Sequence, residues 1–119
     1  MRTALIVATA LVAIAIPTAA ATAATSAQTV VKPVVIQITA VNGRPVGGYK
    51  KPVVKKGQLV RFVIRTNVGT EIHLHGYDIE KKPRKGVPTV IQFVAKLTGR
   101  FDVELHHPDA LLARLTVKS

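Results

Sequence analysis

The chain has four histidines, and they fall in two places. His73 and His75 flank a single leucine, whereas His106 and His107 are adjacent. Side chains two residues apart on a β-strand point to the same side, so His73 and His75 can direct two imidazoles at one point. This spacing predicts a metal site, because neutral imidazole is a good ligand for Cu(II), Zn(II) and Ni(II).

The second pair cannot bind one ion together while its strand continues. Alternate apolar residues at 101, 103 and 105 are expected to face the core, which directs His106 to the opposite side. Pro108 indicates that the strand has ended at His107, which is then freer to turn toward the site. Imidazole has an ordinary pKa of about 6.5, so binding should weaken below about pH 6. The predicted metal ligands are His73, His75 and His107, with His106 as a further candidate.

An alternative without a metal also accounts for these residues. Histidines at strand ends are often solvated or paired with a carboxylate, and Glu71, Asp78 and Asp109 are near enough in sequence to serve. Spacing alone does not separate this alternative from a metal site.

The histidines are set in a chain whose pattern is typical of β-structure. Apolar and polar residues alternate in short segments with turn residues between them, and no window keeps a period of 3.6 residues. The sequence therefore predicts an all-β domain of about seven strands, enough for a sandwich. The predicted strands are 34–41, 51–55, 58–66, 72–79, 89–95, 101–105 and 111–117. Residues 44–49 are expected to be irregular and 80–88 to form a basic loop.

Alternation within these segments predicts the core. In the third segment Val60, Phe62 and Ile64 should face inward while the arginines between them face solvent. Asn42-Gly43 is a strong signal for a tight turn. The last segment is expected to place Leu111, Ala113, Leu115 and Val117 on the core face.

The first 27 residues have the organisation of a secretory signal peptide. Arg2 supplies the positive start, Ala4 to Ile16 is apolar, and small residues follow Pro17. Thr25-Ser26-Ala27 favours cleavage after residue 27, although Ala21-Thr22-Ala23 has the same small-residue spacing. We predict a signal peptide helix at 1–27, a domain at 28–119, and a periplasmic or secreted protein. An uncleaved membrane anchor is the alternative, since a span needs about 20 apolar residues.

The composition excludes several kinds of catalysis. There is no cysteine, and the serines are only Ser26, within the signal, and the terminal Ser119. A serine or cysteine hydrolase is therefore excluded. The six carboxylates lie apart in sequence, and a glycosidase needs two in one cleft. We predict that the protein is not an enzyme.

The chain is strongly basic, with a net charge of +11 that falls to +10 without Arg2. The basic residues are scattered in short clusters without aromatic residues between them, which argues against nucleic-acid binding. They suit solvated turns that keep a monomer soluble. For an exported protein, the charge also favours an anionic envelope surface or protein partner.

The order of three segments resembles the cupredoxin family. These are Glu71-Ile-His-Leu-His-Gly-Tyr-Asp-Ile79, Gly99-Arg-Phe-Asp-Val-Glu-Leu-His-His-Pro108 and Leu115-Thr-Val117. The resemblance implies a Greek-key β-sandwich in which His75 takes the place of the first copper ligand and His107 that of the loop histidine. Leu105 stands where the family has its cysteine, and Leu111 or Leu112 where it has an axial methionine.

These departures decide which functions the resemblance implies. Without a thiolate there can be no blue copper centre, so electron transfer of that kind is not expected. Cupredoxin-like domains without the cysteine occur in exported metal-handling proteins, which implies a histidine site for copper, with zinc as the alternative. A metal-free module that docks on an anionic partner remains the competing function. A redox enzyme would need an open coordination position.

Overall fold

The computed structural model describes Ala4 and residues 9–119. Residues 9–33 have no regular secondary structure, and nine strands follow. Part of the predicted signal peptide helix lies outside the described residues, so that helix stays a prediction. The strands are β1 (Val34–Val41), β2 (Arg44–Pro45), β3 (Val53–Lys55), β4 (Leu59–Thr66), β5 (Glu71–Leu74), β6 (Ile79–Lys81), β7 (Thr89–Val94), β8 (Gly99–His106) and β9 (Ala110–Lys118).

The strands form two sheets that enclose one core. The four-stranded sheet has the order β2-β1-β4-β7, and the five-stranded sheet has the order β3-β9-β8-β5-β6. The β1–β4 and β3–β9 pairs are parallel, and the other pairs are antiparallel. The predicted all-β sandwich is confirmed. In the described part of the chain, no helix has the length and apolar character needed to cross a bilayer.

Period-2 alternation builds the core as the sequence predicts. Val60, Phe62 and Ile64 of β4 are fully buried, while Arg61 and Arg65 lie on the outer face. The same alternation on the facing sheet buries Ile72 and Leu74 of β5 and Val103 and Leu105 of β8. Because these residues point inward, those between them on β5 and β8 must point outward from the five-stranded sheet.

The strand predicted over 72–79 is two strands. β5 ends at Leu74, residues 75–78 form a turn, and β6 begins at Ile79 and pairs back with β5. Gly76 and Asp78 both have positive φ, which a continuing strand does not allow. The stretch predicted as irregular also contains a strand, because Asn42 and Gly43 both have positive φ and form a tight hairpin turn between β1 and β2.

A β-bulge changes which leucine of the last strand is in the core. Val103 pairs with Ala113, but the next residue, Glu104, pairs with Leu111, so Leu112 is an extra residue in β9. Leu112 is fully buried, and Leu111 is only partly buried on the outer side with Glu104. The prediction that Leu111 faces the core is wrong, because the bulge shifts the alternation by one residue.

Candidate metal centre

Three histidines meet on the outer face of the five-stranded sheet. His73 lies on β5 between the buried residues Ile72 and Leu74, and it therefore points outward. His75 is the first residue of the β5–β6 turn, and its backbone N–H donates to the carbonyl of Asp102 at 2.9 Å. The two imidazole centroids are 4.2 Å apart. The spacing thus brings His73 and His75 together, although only His73 is in a strand.

The third member of the group is His106, at the end of β8. Leu105 faces the core, so His106 points to the same outer side, and its ring centroid lies 6.3 Å from that of His73. One ring nitrogen from each of the three imidazoles lies within 4.8 Å of the others. We call His73, His75 and His106 the histidine triad.

His107 lies outside the histidine triad. It has a φ of +52°, and its Nδ1 lies 3.1 Å from Oγ1 of Thr70. As the alternation along β8 predicts, His106 points outward, to the same side as His73 and His75. The structure therefore brings His106 together with them and places His107 apart from the three, although the sequence favoured His107 for the site.

Each imidazole of the histidine triad faces a carboxylate. Nε2 of His75 is 2.9 Å from Glu104, and Nδ1 of His106 is 3.2 Å from Asp109. Nε2 of His73 is 4.0 Å from Glu80, beyond hydrogen-bond distance. An ionised carboxylate only accepts hydrogen bonds, so in His75 and His106 the ring nitrogen that faces the carboxylate donates and the other ring nitrogen is left for a metal. Carboxylates orient metal-binding histidines in this way in many proteins.

Strand register explains why acids and histidines alternate here. Glu80, His73 and Glu104 form one row across β6, β5 and β8, and Glu71 is paired with His106 in a neighbouring row. All six acidic residues of the chain lie between Glu71 and Asp109. Three of them, Glu80, Glu104 and Asp109, lie within 4.0 Å of the triad and make its immediate surroundings favourable for a cation. The hydrogen bond from His106 also holds the pKa of the Asp109 carboxyl below its usual value.

The spacing of the nitrogens is suited to a metal ion after a small adjustment. Metal–nitrogen bonds of 2.0–2.1 Å in a tetrahedral site place ligand nitrogens about 3.3 Å apart. Because the ring nitrogens lie within 4.8 Å of one another, they would have to approach by at most about 1.5 Å. His75 is the most exposed of the three, with a side chain 46% accessible compared with 19% for His73 and 28% for His106. The ring of His75 is thus the one with most room to move.

The donor set excludes a blue copper centre. Leu105 and Leu112, which the sequence resemblance aligns with the cysteine and the methionine of blue copper sites, are both fully buried in the core. The chain has no cysteine, and its one methionine is Met1. Three imidazoles with carboxylate neighbours suit borderline divalent ions such as Cu(II) and Zn(II) rather than ions that prefer sulfur.

An ion pair between Arg114 and Asp102 lies next to His75. Arg114 donates through Nε to Oδ1 of Asp102 at 2.7 Å and through Nη2 to Oδ2 at 3.0 Å. This contact lowers the pKa of the Asp102 carboxyl and raises the pKa of the Arg114 guanidinium. Asp102 lies opposite His75, whose N–H bonds to its carbonyl. The ion pair therefore separates the histidine triad from the basic residues farther along β8 and β9.

Replacement of Asp102 by asparagine should change how the free energy of unfolding depends on pH, because it removes the ion pair with Arg114. Because the folded-state pKa is lowered, the pair stabilises the folded protein above about pH 4 and loses this effect as the pH falls through the folded pKa. Both side chains are partly exposed, so the expected loss at pH 7 is only about 0.5–1 kcal/mol. Urea unfolding of both proteins at pH 7 and pH 3 measures it. If the wild-type protein and D102N differ in unfolding free energy by the same amount at both pH values, the ion pair does not stabilise the fold.

The fold has relatives among solved structures. No protein-family model matches the chain, and no curated protein matches it in sequence. A copper binding protein solved by NMR in the apo form aligns with a TM-score of 0.57 at 15% identity, over 71% of this chain and 86% of that chain. The metal binding domain of the Streptococcus pneumoniae D39 Cu(I) exporting P-type ATPase CopA, solved with Cu(I), aligns with a TM-score of 0.58 at 17% identity, over 71% and 85%.

A third likeness is to a chain of a heme-copper terminal oxidase dimer, with a TM-score of 0.54 at 13% identity over 71% of this chain and 64% of that one. At such low identities the shared property is the fold. The two sheets, their strand order and these likenesses agree with the resemblance found in the sequence. The chain is a cupredoxin-like β-sandwich that contains no cysteine.

Proposed function

We propose that this protein is an exported binding protein for a divalent transition-metal ion, Cu(II) first and Zn(II) as the alternative. The observation that carries the proposal is the histidine triad, in which three outward imidazoles converge and each faces a carboxylate. The triad would hold the ion through one ring nitrogen of each imidazole. Those carboxylates would keep the rings in orientation and favour the positive charge.

The preference for Cu(II) follows from the ligand chemistry. Among divalent first-row ions, a site with nitrogen ligands usually binds Cu(II) most tightly. One structural relative is a copper binding protein and another holds Cu(I), which supports copper as the metal. Cu(I) prefers thiolate and thioether ligands, and the triad has neither, so we assign the oxidised ion to this chain.

We further propose that the ion is a cargo and that the protein is neither an enzyme nor an electron carrier. A thiolate ligand is what gives blue copper proteins their tuned potential, and this chain cannot supply one. The predicted signal peptide at residues 1–27 supports export to the periplasm or the medium, where the ion would be met.

Thermal unfolding at pH 7 with and without metal tests the proposal. A ligand that binds only the folded protein adds about 2.7 kcal/mol at 100 times its dissociation constant. For a domain of this size, that corresponds to a rise in Tm on the order of 10 °C. The rise should be largest with Cu(II), disappear with excess chelator, and be much reduced at pH 5, because protons compete with the metal ion for the ring nitrogens. No rise with either Cu(II) or Zn(II) would overturn the proposed function.

A further inference from the structure

A second feature lies farther along the same outer face. Beyond the row of His75 and Asp102, β8 and β9 pair Arg100 with Thr116. These two residues, with Tyr49, Lys51 and Arg114, line a groove of about 270 Å³ that we call the basic groove. Rows on one face of a sheet are about 7 Å apart, so the basic groove begins within about 15 Å of the histidine triad.

Arg114 is held in place at the border of the basic groove. Its two hydrogen bonds to Asp102 use one edge of the planar guanidinium. Arginine has five N–H donors, so three remain after this contact. A guanidinium fixed on one edge is ready to bind an oxyanion with the others, because little side-chain freedom is left to lose.

Lys51 is also positioned rather than extended into solvent. Its Nζ lies 5.1 Å from the centroid of the Tyr49 ring, within the range of a cation–π contact. The backbone of this segment is fixed along β9, since Lys50 donates to the carbonyl of Leu112 at 3.0 Å and accepts from the N–H of Arg114 at 2.8 Å. Lys51 and Arg114 are therefore both held at the groove by contacts with the protein.

The charges in the basic groove are not balanced. Three cations line it, and Asp102, bound to Arg114, is the carboxylate that pairs with one of them. Within the described residues, Lys51 and Arg100 form no ion pair. The hydroxyl groups of Tyr49 and Thr116 add neutral donors to the same lining. The groove thus combines excess positive charge with several hydrogen-bond donors.

We propose that the basic groove binds an oxyanion of the phosphate class, either as a free ion or as the headgroup of an anionic phospholipid. Phosphate oxygens are the acceptors that guanidinium and ammonium groups bind best. This site is separate from the histidine triad and does not depend on the proposed metal function. Its ligand would be held within a short distance of any ion on the triad, on the same face of the protein.

The test uses the metal-free protein and two probes. Binding of inorganic phosphate is followed by NMR shifts of the backbone amides of Tyr49 and Thr116, and binding to phosphatidylglycerol vesicles by sedimentation. The test variant is Lys51→Ala/Arg100→Ala. The matched control is Arg84→Ala/Lys85→Ala in the loop between β6 and β7, which removes the same two residue types and the same charge. All four side chains are exposed, so both variants are expected to fold.

The expected result is at least a tenfold loss of binding in the test variant and less than a twofold loss in the control. Loss with inorganic phosphate identifies a free anion as the ligand, and loss with vesicles alone identifies a lipid headgroup. Either result supports oxyanion binding in the basic groove. The proposal is overturned if neither probe binds the wild-type protein, or if the control loses as much as the test variant. Because metal is absent throughout, these outcomes are independent of the histidine triad.

Discussion

Replacement of His106 by alanine is expected to weaken Cu(II) binding at least about 100-fold, while the same change at its neighbour His107 leaves the affinity within twofold. Loss of groups that merely orient ligands costs 10–100-fold in metal affinity, and His106 would be a ligand itself. His107 is outside the histidine triad and contacts Thr70 instead. The two variants remove the same side chain from adjacent positions, so their comparison isolates geometry from histidine content.

Competition with a chelator of known affinity at pH 7 measures both variants. Unfolding curves without metal should accompany the titration, because a change of fold would also lower affinity. Equal losses in the two variants would show that binding is not localised at the triad. A larger loss for H107A than for H106A would support the ligand set that the sequence favoured and would overturn the proposal that the triad binds the ion.

Replacement of Gly76 by alanine should destabilise the protein by about 2–4 kcal/mol. Gly76 has a φ of +82°, and a Cβ at this position would overlap the ring of Phe101. The ring belongs to β8 and packs against Tyr77, so it cannot withdraw without disturbing that contact. Since Gly76 follows His75 in the turn, the strain should also displace that imidazole and weaken any metal bound to the triad.

Gly48→Ala provides the matched control for this change. Gly48 has the same φ of +82°, but no atom would lie within 4 Å of its Cβ. It should cost only about 1 kcal/mol, the backbone cost of a left-handed alanine. Urea unfolding at pH 7 gives both free energies. If G48A and G76A are equally destabilising, the contact with Phe101 contributes nothing and the turn has room for a side chain.

The parts of the fold that the sequence predicted are those governed by alternation. The segments that became β1, β4 and β7 were predicted almost to the residue, because burial on one face of a strand leaves a period-2 pattern. The same rule directs His73 outward, and His75, although it is in the turn, stays beside it because its N–H still bonds to the carbonyl of Asp102 on β8. The rule works because side-chain direction in a strand is fixed by the backbone, whatever the neighbouring strands are.

The features that were missed depend on pairing between strands. The bulge that buries Leu112 in place of Leu111 exists only in the register of β9 against β8, which no single segment encodes. The break after Leu74 did have a local signal, since Gly76 and Asp78 are both typical turn residues. The sequence offered both His106 and His107 and favoured His107, because it does not show on which face of the sheet the imidazoles converge.

The sequence does contain a signal for the carboxylates around the triad. Asp102, Glu104 and His106 alternate along one strand, as do Glu71 and His73 along another, so each set shares an outward face. Of the three acids that the sequence offered as histidine partners, Asp109 does contact His106, whereas the acids beside His75 and His73 are Glu104 and Glu80. The pairing of β5 with β8 then brings the two sets side by side, which is the step that requires the structure.

The location of the histidine triad on the outer face of a sheet bears on how fast an ion would be exchanged. A metal ion enclosed within a core is released only when the protein opens. Its release rate is then independent of the concentration of the acceptor. An ion on an open sheet face can bind an incoming ligand before an imidazole dissociates from it. His75 is the most exposed of the three histidines, so its imidazole would dissociate first. Transfer to an acceptor would then proceed by associative exchange, with a rate that rises with acceptor concentration.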